Sequence, residues 1–283
     1  MAGQIYPVVQ LPEEPALSRY ELLTVSPTLD TPHDASGAAR PLDGGVRIRF
    51  SSTDPKPSVA ANDCPITHAS FTNDDGPLQS ADFASFTIWN ALQCSVIGGL
   101  DLEADELGQE VLDTADDWIE WVFATQLFSG TAVTANDNLN DLATVVTNDE
   151  GGLGGAIAAV SRAYADFWGS NQAMIHIPTV AFDAHASINL PYPLETARGH
   201  RVVTSSAYAS DLLVPTTGGS AGNWVYATPT IYHYFSGLTL VGEPEITGIA
   251  ASTPSNRDIM ERLATAYGVI AFAPYGVYAS KVA

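Results

Sequence analysis

The amino-acid sequence predicts an α+β fold, and three features carry that prediction. An acidic, amphipathic segment over 101–128 has the length and periodicity of one long helix. The C-terminal third breaks into short β-prone runs separated by Gly, Ser and Pro clusters. Between the two, helical and extended runs follow one another without the regular strand–helix–strand alternation of a doubly wound sheet. No internal repeat is visible.

Residues 1–45 are punctuated by Pro7, Pro12, Pro15, Pro27, Pro32 and Pro41. Proline removes amide donors and fixes φ, so this stretch reads as an extended arm, with one strand over 20–25. Such an arm frays unless something holds it, and a neighbouring subunit is the simplest holder. Over 46–72, Val46, Ile48 and Phe50 alternate with Arg47, Arg49 and Ser51 before Asp54, Pro55, Lys56 and Pro57. That pattern is a strand entering a long hairpin loop, which is expected to close near 66–71.

In the 101–128 helix, Leu107, Val111, Leu112, Ala115, Trp118, Ile119, Val122 and Phe123 share one face on a helical wheel. Glu103, Glu106, Glu110, Asp113, Asp116, Asp117 and Glu120 fill the other, which reads as a solvated face or one that meets a basic partner. Like charges at i+3 and i+4 cost about 0.2–0.5 kcal/mol per pair, so the apolar face must offset them by packing. A second helix follows Gly152, with Leu153, Ile157, Val160, Tyr164 and Phe167 at helical spacing and Gly169 as its C-terminal cap. A strand over 173–177 leads to Pro178, which opens a helix through residue 188. Strands are then expected over 201–204, 224–227, 231–235 and 238–241, a short helix over 256–265, and strands over 268–272 and 276–281.

Charge narrows the function. The chain has 11 Lys and Arg against 32 Asp and Glu, a formal charge of −21, and only 15% charged residues with 46% hydrophobic ones. Disordered chains combine low hydrophobicity with high charge, so disorder is excluded. Phosphate binding needs a basic surface, and Lys56 and Lys281 are the only lysines, so general nucleic-acid binding is excluded too. No cation lies between Lys56 and Arg162. Interface cores are depleted in charge, so a chain that spends its exterior on neighbouring subunits would have this composition. A Ser/Thr/Asn-rich secreted β protein would have it as well.

No apolar run of about 18 residues is present, so no membrane span is expected. Residues 1–11 lack a basic n-region, and Cys64 and Cys94 lack disulfide-framework or metal-site spacing; synthesis in a reducing cytosol is the expectation. The sequence holds no nucleophile elbow, phosphate-binding loop, zinc-protease motif or Cys-x-x-Cys pair, so no catalytic, cofactor-binding or metal residue is assigned. His176 and His185 stand nine apart across a strand–helix boundary, a poor fit to paired metal ligands. Asn136, Asp137, Asn138, Asn140 and Asp141 lack the glycine and closing glutamate of a calcium loop and read as a turn or helix cap. Gly218, Gly219 and Gly222 read as a surface loop.

The order of parts (arm, hairpin loop, long helix, compact α/β region, β-rich return) resembles the major capsid protein of tailed bacteriophages, the Hong Kong 97 fold. Met174-Ile175-His176-Ile177-Pro178 is similar to that family's strand-to-helix step in the axial domain. Thr196-Ala197-Arg198-Gly199-His200-Arg201-Val202-Val203 with Tyr208 resembles the β segment after it. Trp224-Val225-Tyr226-Ala227-Thr228 followed by 231–235 resembles the strand re-entering the peripheral domain. Asn256-Arg257-Asp258, Glu261-Arg262 and Ala266-Tyr267-Gly268-Val269 resemble the near-terminal stretch.

The resemblance implies an N-terminal arm over 1–45, an extended loop over 46–72, and a peripheral domain of 73–135 and 229–265 with 101–128 as its spine helix. It implies an axial domain of 136–228 and 266–283. The function implied is structural: hexamers and pentamers of an icosahedral phage head enclosing double-stranded DNA, without catalysis, cofactor or specific nucleic-acid binding. The implied place is the virion, after assembly in the host bacterial cytoplasm. A separate scaffolding protein, with a basic tail to meet acidic surface, is expected because no helical scaffolding segment precedes residue 46. A portal and a decoration protein complete the partner set. Some members crosslink a loop lysine to an asparagine beside a carboxylate, which makes Lys56, Asn256 and Glu261 the candidate crosslink residues. Two alternatives stay open: an encapsulin-type nanocompartment shell, and an acidic extracellular enzyme or carbohydrate-binding β protein.

Overall fold

The computed structural model describes residues 21–30, 45–50, 79–96, 104–169, 172–184, 196, 199–205, 207–247 and 258–282. Along the chain come helix α1 (Leu22–Val25), strands β1 (Val46–Phe50), β2 (Gln79–Phe83) and β3 (Phe86–Val96), and the long helix α2 (Ala104–Ser129). Helix α3 (Leu139–Leu142), strand β4 (Thr144–Val145), helix α4 (Gly152–Trp168), strand β5 (Met174–His176), helix α5 (Thr179–Ala184) and strand β6 (Arg201–Val203) follow. Strands β7 (Trp224–Thr228), β8 (Tyr232–Phe235), β9 (Thr239–Thr247), β10 (Asp258–Ala271) and β11 (Tyr278–Lys281) complete it. β1 and β2 form an antiparallel pair from Val46 opposite Phe83 to Phe50 opposite Gln79. A four-stranded antiparallel sheet is built on β10, with β3 along one edge and β8 and β9 on the other. A mixed five-stranded sheet has the order β4-β11-β7-β5-β6.

Several elements form for local reasons legible in the sequence. α4 ends where Gly169 turns left-handed at φ 61° and its N–H returns to Ala165 O at 2.8 Å. Its start is fastened by Asn148, whose Oδ1 accepts from Gly151 N at 2.9 Å and whose Nδ2 donates to Lys281 O at 3.0 Å. Asn138 caps α3 by accepting from Asp141 N at 3.0 Å, as expected for that run. Gly268 on β10 lets α2 approach, since a Cβ there would lie 2.5 Å from the Phe86 ring and 2.8 Å from that of Phe123.

The five-stranded sheet alternates cleanly between two covered faces. Val225, Ala227, Ile175 and Val202 pack against Leu153, Ala156, Val160 and Tyr164 of α4. Trp224, Tyr226, Met174, Val203 and Ala279 point the other way, into a core shared with Phe123, Leu127 and Phe128 of α2 and with Phe86, Ile88 and Val269 of the four-stranded sheet. α2 is therefore the joint between the sheets.

Four expectations are corrected. Residues 258–265 are strand rather than helix, continuous with the strand expected at 268–272. β10 buries Arg262, Ala264 and Ala266 and turns Leu263, Thr265 and Tyr267 the other way, so an inward arginine and an exposed tyrosine break the usual alternation. The strand expected at 20–25 is the helical turn α1. β2 and β3 have no counterpart among the expected elements, and β2, the partner of β1, lies beyond residue 72. Finally, the buried stripe of α2 is not constant. It runs through Leu107, Val111 and Ala115, then Ile119, Glu120 and Phe123, and closes nearly all round at Ala124, Gln126, Leu127 and Phe128. A wheel assumes one fixed face; here the surroundings change along the helix, so Glu120 is buried and Trp118 exposed. The helix expected through 188 is α5, with 185–188 outside the described residues, as are 1–20, 31–44 and 51–78 of the arm and loop.

Candidate assembly surfaces

The middle of the arm, over residues 22–29, is fixed to the body by groups far away in sequence. Glu120 of α2 is only 6% exposed and receives the free N–H groups that begin α1, Leu22 N at 2.7 Å and Leu23 N at 3.2 Å. Burial pushes its carboxyl above the ordinary glutamate range, while hydrogen bonds from Ser205, Leu23 and Leu22 pull it back. Leu22 itself is fully buried in the shared core. On β8, the backbone of His233 exchanges hydrogen bonds with the same stretch: Leu29 N to His233 O at 2.7 Å, and His233 N to Pro27 O at 3.1 Å.

A second buried polar group closes the five-stranded sheet. Thr228 Oγ1 donates to Pro229 O at 3.0 Å, so it accepts from His176 Nε2–H at 2.9 Å. His176 Nδ1 is then the acceptor for Tyr208 O–H at 2.8 Å. Every proton has one direction in this chain, and the imidazole is neutral; burial pushes its pKa down to about 3. Tyr208 is raised well above the ordinary tyrosine value, by burial first and by the Glu120 charge second. The residues are structural: each donor and acceptor is spent on a neighbour and none faces a cleft. The sequence shows His176 and Tyr208 without the 32-residue pairing that gives them this role.

Two surfaces are unfinished. The outer face of the four-stranded sheet carries Trp89, 67% exposed, with Tyr267 and Val241; across the strands Trp89 lies opposite Thr265, Thr87 opposite Tyr267, and Leu263 opposite both Ala91 and Val241. On α2, Trp118 (56% exposed) and Trp121 (46%) meet edge to face at 5.7 Å beside exposed Glu110, Asp113, Asp116 and Asp117. Trp89 was discoverable from the alternation of Phe86 and Ile88 with Thr87 and Trp89, although an aromatic on the outward side disguises that pattern.

Of the candidate crosslink residues, Lys56 and Asn256 lie outside the described residues. Glu261 lies in β10, its backbone in register with Gln93 of β3 and Glu245 of β9. His185 and Cys64 are also outside the described residues. Lys281 Nζ donates to Ser220 Oγ at 2.8 Å and so closes the loop around Gly218 and Gly222. Among the described residues no group of three or more His, Cys, Asp or Glu is placed to hold a metal ion, and no helix is long and apolar enough to cross a membrane.

No family model matches the sequence, and no curated protein matches it. Solved structures do match in fold. A structure of Mycobacterium phage Bobi superposes with a TM-score of 0.59 at 13% identity, over 99% of this chain and 95% of that one. The capsid of a native GTA particle gives 0.59 at 9% identity, over 100% and 95%. Phage G gp27 major capsid proteins, solved with gp26 decoration proteins, give 0.55 at 11% identity, over 98% and 95%. The class defined by two joined sheets and a spanning helix is thus the α+β phage-capsid fold. Within it, the arrangement is the Hong Kong 97 fold that the order of sequence elements resembles.

Proposed function

We propose that the chain is the major capsid protein of a tailed bacteriophage, assembling as hexamers and pentamers into an icosahedral shell around double-stranded DNA. The observation that carries this reading is superposition along almost the full length of both chains on phage and GTA capsid structures. The bare aromatic sheet face and the low charge fraction support it, because both leave surface for neighbouring copies. The role is structural rather than enzymatic. A net charge of −21 suits a wall that encloses DNA without binding it, since few cations are present to displace counterions from phosphate.

In this reading α2 and the four-stranded sheet are the peripheral domain and the five-stranded sheet with α4 is the axial domain. The boundary proposed at 265/266 falls within β10, so the strand as a whole goes with the peripheral sheet. Scaffolding and portal proteins are the proposed assembly partners, the site of assembly is the host cytoplasm, and a decoration protein, as in the phage G structure, is the proposed external one. The proposed crosslink joins Lys56 Nζ to the Asn256 side chain with loss of ammonia, beside Glu261.

Size-exclusion chromatography and negative-stain microscopy of the purified chain test the reading. Megadalton shells are expected; a monodisperse 29.9 kDa monomer under all assembly conditions would overturn it. Boiling the shells in detergent tests the crosslink separately, since only monomer on the gel removes it.

A further inference from the structure

Residues 21–30 are the described stretch of the arm before β1, and they are held at their two ends by different chemistry. At the first end, Leu22 is sunk in the core and Glu120 accepts the Leu22 and Leu23 amides. At the second, both ring nitrogens of His233 are engaged. Ser26 Oγ donates to Leu22 O at 2.6 Å, so it accepts from His233 Nδ1–H at 2.8 Å. That fixes Nε2 as the unprotonated nitrogen, facing Thr28 Oγ1 at 3.4 Å. The ring is buried, with the Phe123 ring edge-on at 6.2 Å and Val269, Ile270 and Ala271 of β10 along its strand.

We propose that residues 21–30 form a clasp that acid opens from one end only: protonation of His233 frees residues 26–29 from β8, while Leu22 stays locked beside Glu120. A second proton on His233 must sit on Nε2, where it turns the Thr28 hydroxyl around and places a cation in a pocket of rings and aliphatic side chains. Burial already holds the His233 pKa below the ordinary histidine value, partly offset by a hydrogen bond with the Ser26 backbone. A depressed folded-state pKa means that this end is fully held above about pH 6.5 and is progressively lost as pH falls below it.

Glu120 has the opposite sign. Its pKa is raised, so acid favours the buried, protonated form and does not loosen the first end. Among the described residues, the other titratable groups at the clasp include Glu21 and Asp30 on the stretch itself, Tyr234 beside His233 on β8, and Tyr208 facing Glu120. Opening in one direction frees residues 26–29 while Leu22 keeps the stretch attached to the body. The idea is independent of the shell reading, because it concerns one chain.

Hydrogen exchange on the full-length chain, corrected for intrinsic rates, is the test. The probes are the Leu29 and His233 amides at one end and the Leu22 and Leu23 amides at the other. Between pH 7.5 and about 5.5, protection at Leu29 and His233 is expected to fall, by at most about tenfold, with Leu22 and Leu23 unchanged. In H233Q, Leu29 protection is expected to be flat over the same range. A flat wild-type profile, or equal loss at both ends, overturns the proposal; so does a pH-dependent Leu29 in H233Q. If H233Q fails to fold, H233N takes its place, and the wild-type comparison of the two ends still decides.

Discussion

Every residue of β7 is buried, whereas β3 alternates between buried Phe86 and Ile88 and exposed Thr87 and Trp89. The same contrast holds for the sheets to which they belong. The five-stranded sheet has α4 on one face and the end of α2 on the other, so it is complete within one chain. The four-stranded sheet has α2 on one face and aromatic side chains in water on the other. Apolar area left in water forgoes roughly 25 cal/mol per Å² of burial, a penalty that a second surface can remove. One half of the molecule is thus covered within the chain, and the other keeps an aromatic face in water.

The largest expected effect comes from breaking the finished half at its joint. Phe128 is fully buried and meets the rings of His176, Tyr208 and Tyr226 within 5.6 Å. Phe128→Ala is expected to cost about 4 kcal/mol in urea unfolding, through lost transfer energy and the cavity left behind. Because the core around Phe128 joins both sheets, one transition should shift as a whole. Two separated transitions would show that the sheets fold independently. Next in size is His176. Its folded pKa of about 3 lies below the unfolded value, so its contribution is complete above pH 6.5 and wanes as pH falls toward 3. At pH 4 the loss from this group is about 3 kcal/mol, at roughly 1.4 kcal/mol per pH unit. Its ring-proton NMR shift should stay flat from pH 8 down to pH 4; titration near pH 6 would show that the sheet is open to water there.

The same contrast explains what could be read in advance. The five-stranded half was legible: α4 buries the face its periodicity shows and ends at Gly169, and the strands at 174–176 and 224–228 are apolar runs buried at every position. The other half was legible in part: α2 and the strands expected at 231–235 and 238–241 are present, while β3 and the first half of β10 are not evident from the pattern. β10 carries Arg262 inward and Tyr267 outward, which defeats an inside-apolar rule, and its Glu261-Arg262 pair with two alanines imitates a helix. Glu120 reads as solvated from the sequence because its burial comes from α1, which precedes it by some 98 residues. A contact at that separation leaves no periodic trace. The acidic strip of Glu110, Asp113, Asp116 and Asp117 reads as a solvated face and is exposed, since no described element covers that part of α2.

Glu120 supplies the intermediate effect, at the border between the halves. Glu120→Ala leaves the Leu22 and Leu23 amides without their acceptor in a buried place, which costs about 1–3 kcal/mol. The pH dependence has a definite sign. A carboxyl whose folded pKa is raised contributes most when protonated, and less as pH rises through that value. The gap in urea midpoint between wild type and E120A should therefore narrow from pH 4 to pH 8. A gap that widens would mean that the ionised carboxylate, rather than the protonated one, is the better cap.

The smallest effect on folding belongs to the bare sheet face. Trp89 makes its contacts on a surface open to water, opposite Thr265, so Trp89→Thr keeps a β-branched strand former while removing the aromatic. Monomer stability should change by no more than about 0.5 kcal/mol, the usual range for surface substitutions. If a neighbouring copy covers this face, the same substitution should sharply reduce the yield of shells by sedimentation, because an aromatic anchor carries more of an interface than its neighbours do. That pairing of outcomes is what separates an unfinished surface from an unused one. Normal shells from W89T would place the subunit contact elsewhere, with the Trp118 and Trp121 pair on α2 next to be tested. A large loss of monomer stability would mean that Trp89 already packs within its own chain, and the contrast between the sheets would fall with it.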